Sequence, residues 1–211
     1  MKVKIRTRGG DSAAEGFFSM MPSMLDPLSS LAHKLRRLDP GAYGSLVAPP
    51  SGNTDARDLL EATRPSELIA GEIAQPADGD AMLAGLWLWF DRLDPAHAIV
   101  QSMDNATGSF WHAILHRREK DFSNSKYWFA RCRQHPANAT LAVQSGALIN
   151  SHPADKSILK LTIGGWNADA FVDLVEQIHD RPDDSRFRLA IALQKLEWQL
   201  LFDHCARSAA G

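Results

Sequence analysis

Apolar residues recur at three- and four-residue intervals along this chain, the period of a helix with one buried face. The pattern is plainest at 167–179, where Phe171, Leu174, Val175 and Ile178 share one face. It is also clear in a final helix from Asp183 or Ser185 to about residue 206, with Phe187, Ala190, Ile191, Gln194, Trp198, Leu201 and Cys205 on one side. The segment 81–93, with Trp87, Trp89 and Phe90, is apolar on nearly all sides, which predicts a helix in the middle of a bundle. Shorter helices are expected at 27–38 (Asp26 as cap and Pro27 in the first position), 55–62, 65–73, 95–103 and 139–150. Residues 1 to about 15 read as irregular and mobile, 39–53 as a Pro- and Gly-punctuated loop, 75–80 as a polar turn and 157–163 as a loop or short helix. The whole predicts one all-α domain over 1–211, an irregular helical bundle with long connections.

One segment does not fit an ordinary amphipathic pattern. Residues 109–136, SFWHAILHRREKDFSNSKYWFARCRQHP, combine aromatics, histidines and cations in a short run. Ser109 reads as a cap for a helix reaching about residue 120, and Ser123 or Asn124 as the cap of a second helix. In the first helix His112, His116 and Glu119 stand at i, i+4 and i+7, within about a 60° arc at 100° per residue. Imidazoles one turn apart can reach one divalent metal, and Glu119 can be a further ligand or a base. The zinc-protease helix needs Glu directly after its first His; Ala113 stands there, which excludes that class. His97, one turn before Gln101 in the preceding helix, is a candidate third imidazole. Glu197 and His204 share a face of the last helix, but the Glu-x-x-His elements of di-metal bundles are missing.

The charge distribution points to a second chemistry. The full chain has 23 Lys and Arg against 25 Asp and Glu, a net charge of −2. Within 109–136 six cations meet two anions, a local +4. Arg117, Arg118, Lys126 and Arg131 could hold an anionic small molecule, with Asp121 a further ligand-binding candidate and Tyr127 and Trp128 as a wall. A third reading makes the segment a buried polar network that fixes a helical corner, with its cations in intrachain ion pairs. The overall charge argues against nucleic acid or a membrane surface as partner. No apolar run approaches the roughly 20 residues of a membrane span, and no signal peptide is expected. Two cysteines without metal-pair spacing, Cys132 and Cys205, suit free thiols in the cytoplasm. Neither a nucleophile elbow nor a phosphate-cradling glycine loop is present.

The string FWHAILHRREKDFSNSKYWF, with AHAIVQ upstream at 96–101, resembles an uncharacterised family of bacterial and fungal proteins whose members carry (Y/F)WH-x-(I/L)-x-HRRE-x-D-(F/Y)-x-N-(A/S)-KYW. The likeness spans about residues 86–136 and rests on Trp111, His112, His116, Arg117, Arg118, Glu119, Asp121, Asn124, Lys126, Tyr127 and Trp128. Ala96 departs from the Ser expected before His97. The resemblance implies that the segment is one unit; it implies no reaction.

Overall fold

The computed structural model describes residues 26–39, 41–50, 56–150 and 155–211. The expectations for residues 1–15, and for the parts of the 39–53 loop and the 55–62 helix that fall on 40 and 51–55, lie outside the described residues. Among the described residues there are ten α-helices and no strand, so the all-α expectation holds. In chain order they are α1 (Ser30–Arg37), α2 (Arg57–Ala62), α3 (Pro76–Trp89), α4 (Leu93–Val100), α5 (Ala106–Glu119), α6 (Phe122–Arg131), α7 (Pro136–Asn150), α8 (Lys156–Leu159), α9 (Ala168–Ile178) and α10 (Phe187–Ala210), with a 3₁₀ turn at Pro65–Leu68.

Several boundaries differ from the sequence reading, each for an identifiable reason. The expected helix at 27–38 starts only at Ser30, because Leu28 is extended and pairs with Ile69 in an isolated antiparallel bridge. Ser29 N–H donates to Leu68 O and Ala70 N–H to Pro27 O, so both segments spend their backbone groups on each other. The same pairing stops the expected 65–73 helix after one 3₁₀ turn. Asp26 accepts from Leu28 N–H, two residues on, and Ser29 caps the helix instead. The supposed polar turn at 75–80 is the first turn of α3, opened by Pro76, whose missing N–H costs nothing there.

The largest apolar cluster wraps α3, which packs against α10, α4 and α5. Trp198 donates its indole N–H to Gly85 O at 2.7 Å. A Cβ on Gly85 would stand 2.8 Å from the Trp111 ring, so glycine lets that ring close on α3. A second cluster lies among Leu46, Ile149, Phe171, Leu174, Ile178 and Leu193, and Phe122 packs against both.

Between the clusters lies a buried ion pair. Arg117 and Glu197 are both fully buried and meet through two contacts, Nη1–Oε1 at 3.3 Å and Nη2–Oε2. The Arg117 guanidinium also lies over the rings of Phe171 (4.6 Å) and Phe129 (5.7 Å). Arg118 is equally buried: it donates to Ser45 O, pairs with Asp91 and covers the Tyr43 ring at 4.3 Å. Ala48 N–H donates to Arg118 O. The described part of the 39–53 loop is therefore tied to α5 at its core.

Among the described residues no helix is long and apolar enough to cross a membrane.

Candidate functional site

Local sequence builds the corner that carries the histidines. Asn105, not Ser109, caps α5: its side chain accepts from Gly108 N–H at 2.7 Å, and Ser109 is a buried residue of the helix. Gly108 sits against the α4–α5 connection, where a Cβ would stand 2.4 Å from Met103 Cβ and 2.7 Å from its carbonyl oxygen. At the other end Lys120 takes a left-handed conformation (φ 69°) and Asp121 N–H returns to His116 O at 2.9 Å. Asp121, not Ser123 or Asn124, then caps α6 by accepting from Asn124 N–H at 3.2 Å. Its carboxyl is held below the usual range: burial opposes this, but the hydrogen bonds from Asn124 and Ser123 outweigh it. Asp121, expected from the sequence beside an anionic ligand, is thus a helix cap.

This reversal lays α6 back along α5, fastened by Ser125 Oγ donating to Ala113 O at 2.8 Å. Asn124 then faces His116 and Trp128 faces His112. Asn124 Nδ2 lies 3.1 Å from His116 Nε2. The Trp128 ring stacks on His112 with centroids 4.0 Å apart at 18°. His112 and His116 stack on each other at 4.7 Å, and α4 brings His97 edge-on to both, at 4.9 and 5.8 Å.

One potential ligand atom from each of His97, His112 and His116 lies within 4.8 Å of the other two. His112 and His116 are buried, at 5% and 8% exposure, and His97 is half-buried, so the cluster borders the surface. His112 Nδ1 is buried without a hydrogen-bond partner. Burial, reinforced by the neighbouring His116 and His97, pushes the His112 pKa down to about 4, so its imidazole is neutral near pH 7. Glu119 is not level with the three rings. Its Oε2 lies 2.9 Å from His116 Nδ1, behind the ring, where a carboxylate accepts from Nδ1–H and leaves Nε2 with the lone pair.

The cations expected to form an anion pocket do not converge. Arg117 and Arg118 are buried and engaged as described above. Lys126 pairs with Asp173 and Arg133 with Asp169, both on α9. Arg131 lies over the rings of Trp128 (5.4 Å) and Tyr127 (6.0 Å), with Asp104 at 3.9 Å. Tyr127 is exposed and meets Trp128 edge-on at 5.4 Å. Lys126 and Tyr127 therefore point away from the histidine face that Asn124 and Trp128 occupy. The i, i+4 spacing of Asn124 and Trp128 was the only local signal for that placement.

The other polar residues of interest lie elsewhere. Glu197 is taken by Arg117, and the His204 ring meets His135 at 4.6 Å. A surface cleft of about 410 Å³ opens beside Phe129, Arg133, Trp166 and the start of α9, and none of the three clustered histidines lines it.

No family model, curated protein or solved structure matches the chain.

Proposed function

We propose that this protein works through a divalent metal ion bound by His97, His112 and His116, with coordination positions left for water or a small-molecule ligand. The observation that carries this reading is the approach of three imidazole donor atoms to within 4.8 Å of one another. Donors on one tetrahedral zinc, with bonds of about 2.1 Å, stand roughly 3.4 Å apart, so ring movements on the order of 1 Å close the set. Imidazole is a preferred ligand of zinc, copper, nickel and iron. Three neutral imidazoles leave the ion's charge uncompensated, which lowers the pKa of a bound water towards neutrality and favours hydrolysis of a small molecule. Glu119, hydrogen-bonded to His116, is the adjacent carboxylate that could take up a proton.

Two rival readings are weaker. A purely structural network gives no reason for three imidazole donors to converge, and His112 Nδ1, one of the buried atoms without a partner, belongs to that cluster. A dedicated anion pocket needs free cations, and Arg117, Arg118 and Lys126 already hold Glu197, Asp91 and Asp173. Arg131 is engaged as well, with Asp104 at 3.9 Å and its guanidinium over the Trp128 ring.

Elemental analysis of the purified chain tests the proposal, with wild type compared against His112→Ala/His116→Ala. Near-stoichiometric metal in the wild type, lost in a double variant that keeps its helical circular dichroism, supports it. A folded wild type that retains no metal after incubation with zinc, manganese and iron rejects it.

A further inference from the structure

Beside the three histidines stands a side-chain amide already at coordination spacing from one of them. Asn124 Nδ2 stands 3.1 Å from His116 Nε2. Two donors bound to the same ion with bonds of about 2.1 Å are separated by roughly 3.0 Å in an octahedral site and 3.4 Å in a tetrahedral one. The two ends of a side-chain amide exchange places by a half-turn about its terminal bond, and they differ in chemistry, not in shape. The amide N–H points at the His116 Nε2 lone pair. With a cation bound to Nε2, the amide oxygen is the end that belongs there.

Resting on the metal reading above, we propose that Asn124 is the fourth protein ligand, binding through Oδ1. The ligand set is then three imidazole nitrogens and one neutral amide oxygen, drawn from α4, α5 and α6. Three features of the corner fit this role. Asp121 fixes the start of α6 by capping Asn124 N–H, so the residue's backbone is held whatever its side chain does. Glu119 sits on the opposite edge of His116, which directs Nε2 towards Asn124. Trp128, one turn along α6, stacks on His112 and holds the two helices in register at that point. The set carries no formal negative charge, so in a five- or six-coordinate site the ion would keep both a position and an attraction for an anionic ligand such as hydroxide, carboxylate or phosphate. A mixed nitrogen and oxygen donor set suits Zn²⁺, Co²⁺ and Ni²⁺.

The experiment is titration of the full chain with Co²⁺, followed by visible absorption and by competition with Zn²⁺. Wild type, Asn124→Ala, Asn124→Asp and the His112→Ala/His116→Ala double variant are compared. Asn124→Ala should weaken binding by roughly ten-fold or more and change the cobalt absorption bands, since even residues behind the ligands are worth about that much. Asn124→Asp, which restores an oxygen donor, should recover wild-type affinity or exceed it. Asn124 is half-buried and its alanine variant keeps the backbone cap, so thermal melts should show all these chains folded.

Unchanged or tighter cobalt binding in Asn124→Ala, with an unchanged spectrum, would mean that Asn124 merely covers His116; the ligand assignment fails and the three-histidine site stands. If wild type takes up no cobalt, or the double variant binds it equally well, both the assignment and the metal reading beneath it fail.

Discussion

Glu119 Oε2 and His116 Nδ1 lie 2.9 Å apart, on the side of the ring away from Asn124. The carboxylate thereby selects which nitrogen of His116 carries the proton. Glu119→Ala should lower zinc affinity roughly 10–100-fold, the usual loss when a partner behind a metal-bound histidine is removed. Glu119 is exposed, so the melting temperature should barely move. Competitive zinc titration beside a thermal melt checks both, and unaltered affinity would show that the contact does not orient the ring.

The Arg117–Glu197 pair predicts a large stability effect with a particular signature. Glu197→Ala leaves a fully buried guanidinium without its counter-charge and should cost about 3–5 kcal/mol in urea denaturation. Replacing both partners together with apolar residues of similar volume, Arg117→Met with Glu197→Leu, should recover most of that loss. A double variant as unstable as the single one would mean that the pair's value lies in its charges and not in filling the space.

Acid should weaken the fold through His135. Its ring is 4% exposed, accepts from Ala137 N–H on Nδ1 at 3.2 Å and faces Thr107 Oγ1 at 3.3 Å through Nε2. Burial, with a smaller contribution from His204, pushes its pKa down to about 4. The unfolded chain, with a histidine pKa of about 6.5, therefore binds the proton first as the pH falls. Stability from this residue is complete above about pH 6.5 and is lost towards pH 4, on the order of 2–3 kcal/mol. Denaturation midpoints across that range should fall more steeply in wild type than in His135→Asn; equal slopes would clear His135 of the effect.

Gly108 ties the stability of the corner to the site. In Gly108→Ala the new methyl meets Met103 Cβ and its carbonyl oxygen, and the latter is backbone that cannot swing aside. A loss of about 1–3 kcal/mol is expected from the overpacking. Because the displaced connection carries α4, His97 should shift relative to His112 and zinc should bind more weakly. Thermal denaturation and zinc titration of the same variant measure the two effects separately.

Some of this could be read directly from local pattern. The face shared by His112, His116 and Glu119 follows from their spacing within one helix, and α5 is helical throughout. The buried stripe of α9 and the all-round burial of α3 likewise followed from periodicity. Cap identities were harder, because Asn105, Ser109, Asp121, Ser123 and Asn124 can each cap a helix and only the surrounding backbone chooses among them. The start of the 27–38 helix and most of the 65–73 helix are lost because these segments pair with each other across about 40 residues of chain, which no local window contains.

By itself, the sequence determined that the chain is helical and that two imidazoles and a carboxylate lie along one face of α5, since both depend on interactions within one or two turns. Tertiary structure decided what that face meets. It brought His97 from α4 and Asn124 and Trp128 from α6 onto the two histidines. It also drew Arg117 to Glu197, 80 residues away, and Arg118 to Asp91, so those cations serve the core. Residue types and spacing state what a side chain can bind; only the packing of helices distant in sequence fixes which partner comes within reach.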